Sequence, residues 1–289
     1  MKNCCLLPFI LLLIVSCSES IEYGDTGDSW PVVKQQGEGV LYALYVPSEG
    51  FAYRDKTGEL TGVTIDLLNG FADFLYERYE INLEIRFVEE TDWTRFYNRI
   101  VEGSDGLIGM GNVTITKERK EELTFSPPYM TNIASLISHE DAPELPSLEE
   151  ISDRFSGRDA LAFEGTLHET RLRQIINEYF PEAGIRMAQS NDEIIEIISL
   201  EDQFFAYIDI YNYWRAVERG KPLQRHEAGD EAAEQFGYIM PPGTSWEEMI
   251  TEYFEHNEGL LESEQYRRIM KYHLGNTLAE LLFHAQDPS

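Results

Sequence analysis

Apolar residues follow two alternating patterns through most of this chain of 289 residues. Short apolar runs, typical of buried strands, occur at residues 40–45, 160–163, 204–208 and 236–240, and residues 83–88 (LEIRFV) are strand-like as well. Apolar residues at helical spacing occur within residues 65–75, 93–101, 170–180, 192–200 and 246–283. Strands that alternate with helices in this way predict an α/β architecture with mainly parallel sheets.

Residues 1–16 have the pattern of a secretory leader. Their apolar run, residues 6–15, is too short for a membrane-spanning helix, which needs roughly 20 apolar residues. The run ends in residues 14–17 (IVSC), which resemble the lipobox of bacterial lipoproteins, where cleavage precedes the cysteine and its thiol carries the lipid. An ordinary leader with a fortuitous cysteine is the alternative. We expect an extracytoplasmic protein anchored to the membrane by lipid on Cys17, with polar residues 17–32 as a flexible tether.

The excess of acidic residues argues against a nucleic-acid partner. The chain has 52 Asp and Glu residues against 23 Lys and Arg, and its formal net charge is −29. Such a surface repels phosphate backbones, and no basic run offsets it. An apolar content of 43% and an aromatic content of 12% indicate a folded protein with a hydrophobic core. The charge itself indicates a solvated surface and does not bear on the fold.

Cysteine and histidine positions predict neither a disulfide nor a metal site. Of the three cysteines, Cys4 and Cys5 lie in the leader, so Cys17 alone would remain after cleavage. The six histidines include no pair four residues apart. The sequence also lacks a P-loop, a G-x-S-x-G elbow and an H-E-x-x-H motif. We therefore expect no metal and no cofactor.

Five short motifs follow one another along the chain. They are residues 62–67 (GVTIDL), 92–93 (DW), 111–119 (GNVTITKER), 125–129 (FSPPY) and 163–166 (FEGT). In this order, and after a lipobox, they resemble the extracellular solute-binding proteins of family 3, the polar-amino-acid receptors of ABC importers. The resemblance extends from about residue 40 to residue 275, which is nearly the whole mature chain.

The resemblance implies a type II periplasmic-binding fold. In that fold two α/β lobes are joined by two crossing hinge strands, and the ligand lies in the cleft between the lobes. The crossings are expected near residues 129–134 and 234–238. Lobe 1 would comprise residues 33–131 and the C-terminal helices of residues 236–289, and lobe 2 would comprise residues 132–235.

The resemblance places the carboxylate clamp of an amino-acid ligand at Arg119. The forked donors of a guanidinium match the two oxygens of a carboxylate, and Thr114 and Asn112 lie beside it in the motif. The alternative is a charged helix start capped by a threonine, with Arg119 in solvent and paired with Glu118 or Glu122.

In lobe 2, Thr166 follows a predicted strand and precedes a helix. The free N–H groups of a helix start favour an anion, so Thr166 would close the other side of the carboxylate, although it could serve only as a helix cap. Asp209 ends another predicted strand and would pair with the ammonium group of the ligand, unless it is merely a solvated strand end. Tyr211 is a lesser candidate for the same role.

The remaining candidates would contact the side chain of the ligand. Trp93 matches the aromatic residue that packs over it in this family, although it could simply begin a core helix. Phe51 matches an aromatic residue after the first strand that more often packs the lobe. Tyr45 and Ser48 stand where many members carry an acidic and an aromatic residue, and Glu164 stands where a neutral side chain is frequent. These departures are compatible with an amino-acid ligand but leave its identity open.

The resemblance implies a monomeric lipoprotein that binds a small zwitterion, an amino acid above all, by hinge closure and delivers it to an ABC permease. On this hypothesis the protein is not an enzyme. One alternative is a lipoprotein that senses the ligand for a signalling partner. Another is an enzyme like cyclohexadienyl (prephenate or arogenate) dehydratase, with Glu164 and Asp209 as paired carboxylates. A lytic transglycosylase, which carries a similar domain before its catalytic one, is not expected, because the helices of residues 246–283 are needed to complete lobe 1.

Overall fold

The computed structural model describes residues 26–286. The predicted leader of residues 1–16, the predicted lipid on Cys17 and most of the predicted tether lie outside the described residues. The strands are β1 (Glu38–Tyr45), β2 (Tyr53–Arg54), β3 (Leu60–Thr61), β4 (Asn82–Glu89), β5 (Leu107–Thr114), β6 (Thr124–Phe125), β7 (Met130–His139), β8 (Asp159–Phe163), β9 (Ile185–Ala188), β10 (Phe204–Asp209) and β11 (Leu223–Met240). The helices are α1 (Trp30–Gln36), α2 (Val63–Tyr79), α3 (Trp93–Val101), α4 (Ile151–Arg154), α5 (Leu167–Tyr179), α6 (Asn191–Leu200), α7 (Ile210–Glu218), α8 (Glu247–Glu255), α9 (Glu264–Leu274) and α10 (Asn276–Gln286).

One sheet runs through the described structure in the order β4-β1-β5-β11-β7-β10-β8-β9, with β6 paired to β11. We call the part of the molecule built on β4-β1-β5 the first half and the part built on β10-β8-β9 the second half. The flanking strands are parallel to their neighbours, as β4-β1-β5 on one side and β10-β8-β9 on the other. The central pairs are antiparallel. The sheet is therefore two parallel α/β units joined by an antiparallel centre.

Strands β7 and β11 are the two crossing strands. They pair from Met130 opposite Phe236, in the first half, to His139 opposite Leu223, in the second. Strand β11 bulges at residues 227–230, which separate its pairing with Leu136 from its pairing with Ala134. This topology confirms the predicted fold, and both predicted lobe boundaries, at 131/132 and 235/236, fall inside the crossing strands.

Each half has apolar side chains on both faces of its sheet, as an α/β layer requires. In the first half, the largest core contains Phe71 of α2, Trp246 and Leu282 of α10, so the C-terminal helices pack on this half. The opposite face is covered by α3 through Phe96. In the second half, α5 covers one face and α6 the other.

The predicted tether is wrong at its C-terminal end. Helix α1 begins at Trp30, whose ring packs 5.5 Å from that of Trp246 and whose N–H donates to Ser245 Oγ at 2.8 Å. The sequence did carry the local signals: Pro31 lies in the first turn, and Gly37 ends the helix with a φ of 76°. Burial of the tryptophan fixes this segment to the first half.

Two other predicted helices differ from the structure. The charged stretch after Thr116 forms only a 3₁₀ turn at Arg119–Glu121, although Thr116 Oγ1 does accept the N–H of Arg119 at 3.2 Å. The long helical region of residues 246–283 is divided into α8, α9 and α10. Gly259 and Gly275, at φ values of 94° and 79°, adopt the left-handed conformation that interrupts it.

Candidate functional site

A cavity of about 510 Å³ lies between the two halves. It is formed at the carboxyl ends of the parallel strands β1, β5, β8, β9 and β10 and at the starts of α3, α5, α6 and α7. Open α/β sheets bind ligands at this edge, and a cavity of this size accommodates a small organic molecule.

Seven of the residues predicted for the site line this cavity: Arg119, Thr114, Asn112, Thr166, Asp209, Trp93 and Ser48. The lesser candidate Tyr211 also lines it. The structure therefore brings together the residues assigned to the charged ends of a ligand, although they come from three separate segments of the chain, residues 112–119, 166 and 209–211. Three predicted residues lie outside the lining.

Tyr45, Phe51 and Glu164 are the three that do not line the cavity. Tyr45 is buried and donates its hydroxyl to Glu89 Oε2 at 2.8 Å; burial and this carboxylate raise the pKa of Tyr45 to about 12. Phe51 is buried against the ring of Tyr211, 4.6 Å away, and packs the first half. Glu164 is exposed and accepts the amide of a neighbouring glutamine at 2.9 Å. These side chains shape or flank the site without facing it.

Arg119 is half-buried in the cavity wall. Its Nη1 donates to the carbonyl oxygen of Thr114 at 3.1 Å, and its guanidinium carbon lies 5.5 Å from the ring centre of Tyr97. Burial lowers the pKa of Arg119, but a guanidinium remains charged at neutral pH. Within residues 26–286 no carboxylate forms an ion pair with it, so the alternative pairing with Glu118 or Glu122 is wrong. The cavity thus contains a cation with no carboxylate at ion-pair distance among the described residues; the charge of Glu122, which accepts the hydroxyl of Tyr97, acts on it from further away.

Asp209 is buried, not a solvated strand end. Its Oδ1 accepts the amide of Asn132 at 2.6 Å and lies 3.0 Å from His168 Nε2. Both partners are themselves buried. Two groups therefore hold one oxygen of the carboxylate in place, while Oδ2 has no partner among the side chains that the structure describes.

The partner Asn132 extends this contact to the crossing strands. It lies on β7, and its amide also donates to Glu234 Oε2, on β11, at 3.2 Å. Glu234 in turn forms a buried ion pair with Arg171 of α5. Buried polar groups are costly unless they are bonded to one another, so this network joins the cavity, α5 and both crossing strands into one unit.

Asn112 is fixed in the cavity wall by two tyrosines. Its Nδ2 donates to Tyr211 Oη at 3.0 Å, and its Oδ1 accepts the hydroxyl of Tyr129 at 2.8 Å. Its φ of 53° is unusual for any residue except glycine, although asparagine tolerates it best. Burial raises the pKa of Tyr211, so its hydroxyl stays protonated. The side chain of Asn112 is already bonded and orients Tyr211 towards the cavity.

The start of α5 presents free N–H groups to the cavity. Thr166 caps the helix: its Oγ1 accepts the N–H of Glu169 at 3.4 Å and donates to the carbonyl oxygen of Phe163 at 2.8 Å. Leu167 and His168 follow it and line the cavity, and their N–H groups have no acceptor in the described part of the chain. The helix start is therefore open to an anion, as expected, but through these N–H groups more than through the Thr166 hydroxyl.

Trp93 lies at the boundary between the core of the first half and the cavity. It begins α3 and belongs to the core of the first half, and it also lines the cavity. Its Nε1 donates to the carbonyl oxygen of Gly165, in the second half, at 3.1 Å. The indole therefore spans the cavity from one half to the other.

Helix α7 supplies cavity residues that the sequence analysis missed. Asn212, Arg215 and Arg219 all line the cavity. Arg215 Nη2 donates to the carbonyl oxygen of His273 at 2.9 Å, and Arg219 forms an ion pair with Glu49. Residues 210–218 do carry apolar residues at helical spacing, so the pattern after Asp209 contained the signal.

The charge of the cavity differs from that of the chain. Four carboxylates and four permanent cations line it: Glu49, Asp192, Glu196, Asp209, Arg119, Arg215, Arg219 and Lys221. The described residues contain no cluster of three His, Cys, Asp or Glu side chains that could hold a metal ion. Over the same span, every helix is too short or too polar to cross a bilayer.

Comparison with known proteins identifies a family whose model matches most of this chain. The model of the bacterial extracellular solute-binding proteins, family 3, matches residues 42–275. The membrane-bound lytic murein transglycosylase F of Maricaulis maris (strain MCS10) is 29% identical over 170 residues, which cover 59% of this chain and 34% of that protein. The match thus spans about a third of the length of this curated relative.

Solved structures give the same result for the fold. An ancestral arginine-binding protein bound to arginine superposes with a TM-score of 0.66 at 18% identity, over 81% of this chain and 97% of its own. The ancestral amino acid-binding protein AncCDT-1, a precursor of cyclohexadienyl dehydratase, has a TM-score of 0.65 at 21% identity, over 84% and 98%. At these identities the likeness establishes the type II periplasmic-binding fold.

Proposed function

The chain belongs to the bacterial extracellular solute-binding proteins of family 3, and we propose from this premise that its cavity binds a free amino acid. An amino acid presents a carboxylate, an ammonium group and a side chain. A site for it needs fixed donors, a fixed anion and a wall that accommodates the side chain. The cavity has a candidate for each of these.

The observation that carries the proposal is the guanidinium of Arg119, which has no ion-pair partner among the described residues. A half-buried cation without an ion-pair partner is well placed to bind an anion from outside. The free N–H groups of Leu167 and His168 add donors for the same carboxylate from the second half. A carboxylate held by both sets would be shared between the two halves.

Asp209 would hold the ammonium group. Its Oδ1 is already bonded to Asn132 and to His168, and these contacts fix the orientation of Oδ2. A buried anion needs a bonded cation near it, and the ligand ammonium would supply one. Trp93 would then pack over the ligand side chain, because its indole forms part of the same wall.

Binding on this scheme favours closure of the two halves. The ligand would contact Arg119 from the first half and Asp209 and the start of α5 from the second, so it makes more contacts when the halves are together. A ligand that binds one conformation better shifts the population towards it. Motion would be absorbed in β7 and β11, which join the halves.

We also propose that the protein is a monomer outside the cytoplasm, held to the membrane by lipid on Cys17, and that it delivers its ligand to an ABC permease. The lipobox-like residues 14–17 support the anchor, and the family supports the permease. Labelling of wild type and Cys17→Ala with a fatty-acid analogue in cells tests the anchor. Ligand uptake by cells with and without the protein separates delivery from sensing, because a sensor would leave uptake unchanged.

Titration of the purified protein with each common amino acid tests the binding proposal. At least one should raise the melting temperature of wild type, by an amount that grows with concentration. Arg119→Ala removes charge-assisted bonds worth about 1.5–3 kcal/mol, so affinity should fall about 10- to 150-fold while the ligand-free protein stays folded. Arg86→Ala, at an exposed ion pair of the same half, is the control and should bind as wild type does. An undiminished ligand shift in Arg119→Ala would contradict the site.

A dehydratase-like enzyme is the second candidate function. The contact of 3.0 Å between His168 Nε2 and Asp209 Oδ1 favours it, since a histidine and a carboxylate in a cavity can exchange a proton with a ligand. Glu164 does not line the cavity, so it is not the second acid of such a site. Incubation with prephenate and with arogenate, followed by chromatography of the products, decides the matter. Turnover that His168→Ala abolishes would establish an enzyme.

A further inference from the structure

Arg215 is a second cation of the cavity that has no ion-pair partner among the described residues. It lies on α7, six residues after Asp209. Its Nη2 donates to the carbonyl oxygen of His273 at 2.9 Å, while Nη1 is buried and has no hydrogen-bond partner in the described structure. Burial lowers the pKa of Arg215. A buried charge without a partner destabilises the protein that contains it, so this arrangement requires an explanation.

The cavity carboxylates Glu49 and Glu196 form ion pairs with other cations. Glu49, whose charge also acts on Arg215, forms its ion pair with Arg219, the residue that follows α7. Glu196 forms an ion pair with Lys221 at 2.6 Å. None of the carboxylates between residues 26 and 286 forms an ion pair with Arg215 itself.

A second unsatisfied donor lies beside this guanidinium. Asn212 precedes Arg215 by three residues, so the two side chains share one face of α7. Its Nδ2 is buried and also has no hydrogen-bond partner in the described structure, and both residues line the cavity. Two adjacent donors, one of them charged, would together satisfy an anionic oxygen pair.

Arg119 and Arg215 occupy different places in the cavity. Arg119 lies against Thr114 and the ring of Tyr97. Arg215 lies against Gly50, where an added Cβ would come within 2.4 Å of Nη2, and against His273. The two guanidiniums contact different residues, so a single carboxylate bound to Arg119 leaves Arg215 unpaired.

We propose that the ligand carries a second acidic group, which Arg215 and Asn212 bind. This inference rests on the proposed function, in which Arg119 binds the α-carboxylate. The ligand class is then an amino acid with an acidic side chain. The cavity volume of about 510 Å³ accommodates such a molecule. A site built for a charged group rejects the neutral analogue, because its buried donors are then left unpaired.

Calorimetric titration with matched acids and amides tests the inference. The ligands are aspartate, glutamate and 2-aminoadipate, with asparagine and glutamine as the neutral analogues. Wild type should bind the best acid at least tenfold more tightly than its amide. Arg215→Met should lose that preference and keep its affinity for the amide. Replacing an unpaired buried cation with an apolar side chain of similar size is seldom destabilising, so this variant should fold. Asn212→Ala should reduce the preference in part.

Arg86→Met is the control, because this arginine lies outside the cavity lining, at an exposed ion pair with Glu84. It should keep the preference for the acid. Equal affinity of wild type for acids and amides would overturn the inference and leave amino-acid binding intact, as would an unchanged preference in Arg215→Met. Failure of every amino acid to bind wild type would overturn the proposed function itself, and with it this inference.

Discussion

His226 makes the stability of the protein depend on pH. It lies on β11, is 2% exposed, and its Nε2 is 2.7 Å from Ser138 Oγ. The ring of Phe155 packs 5.1 Å from its own. Burial penalises the charged imidazole and lowers the pKa of His226 to about 4, from about 6.5 in an unfolded chain.

The sign of the effect follows from this difference. Between pH 6.5 and pH 4 the unfolded chain binds a proton at His226 and the folded protein does not, so acidification favours unfolding. With a pKa of about 4 in the folded protein and about 6.5 in the unfolded chain, lowering the pH from 7 to 5 reduces the free energy of unfolding by about 2 kcal/mol. The contribution of His226 is therefore fully present at neutral pH and decreases as the solution becomes more acid.

Urea denaturation at pH 7 and pH 5 measures this loss. His226→Gln removes the titrating group, so its free energy of unfolding should fall about 2 kcal/mol less than that of wild type. The 52 acidic residues also respond to pH, but they do so in both proteins and cancel in the comparison. His284→Gln, at an exposed position, is the control and should behave as wild type does. Equal losses in wild type and His226→Gln would refute the reasoning.

Three further substitutions test other parts of the structure. Trp93→Phe keeps an aromatic wall but removes the hydrogen bond to the opposite half, so the ligand should dissociate about 2- to 10-fold faster in stopped-flow measurements. Asn132→Ala separates Asp209 from Glu234 and should lower the free energy of unfolding by about 1–3 kcal/mol in urea, a loss that a solvated asparagine would not cause. Trp30→Ala should lower the free energy of unfolding in urea by about 3–5 kcal/mol, because α1 packs on the folded first half through this side chain; an unchanged value would indicate that α1 belongs to a tether.

The fold could be predicted from the sequence because its signals are local and repeated. Apolar runs separated by helical spacing gave the α/β class, and the short motifs gave the order of the two lobes. Helix α1 was not predicted from the sequence because its stability comes from the packing of Trp30 on Trp246, and these residues are far apart in the chain. Strand β9, with four residues, was too short for its pattern to be recognised.

The candidate site could be predicted in part. Arg119 and Asp209 both line the cavity; Asp209 ends β10, and Arg119 follows the end of β5 by five residues. His168 and Asn132, which hold Asp209, were missed because these contacts join segments 41 and 77 residues apart. Tyr45 was assigned by its position alone, but its side chain is buried outside the cavity lining and donates its hydroxyl to Glu89. Side-chain direction at a strand end depends on packing that the motif does not encode.

The bulge at residues 227–230 affects how the two halves can move. It places four residues of β11 opposite Ser135 alone, and its Asp230 accepts the Ser135 hydroxyl at 2.6 Å. A narrow ribbon bends and twists most easily where its ladder is interrupted, so the axis of opening should pass near this point. Asn132, which donates a hydrogen bond to Asp209, lies three residues from Ser135 on β7, so the expected axis of opening passes close to it. Insertions or deletions in this four-residue stretch would then change the angle and rate of opening while every side chain that faces the ligand stays the same.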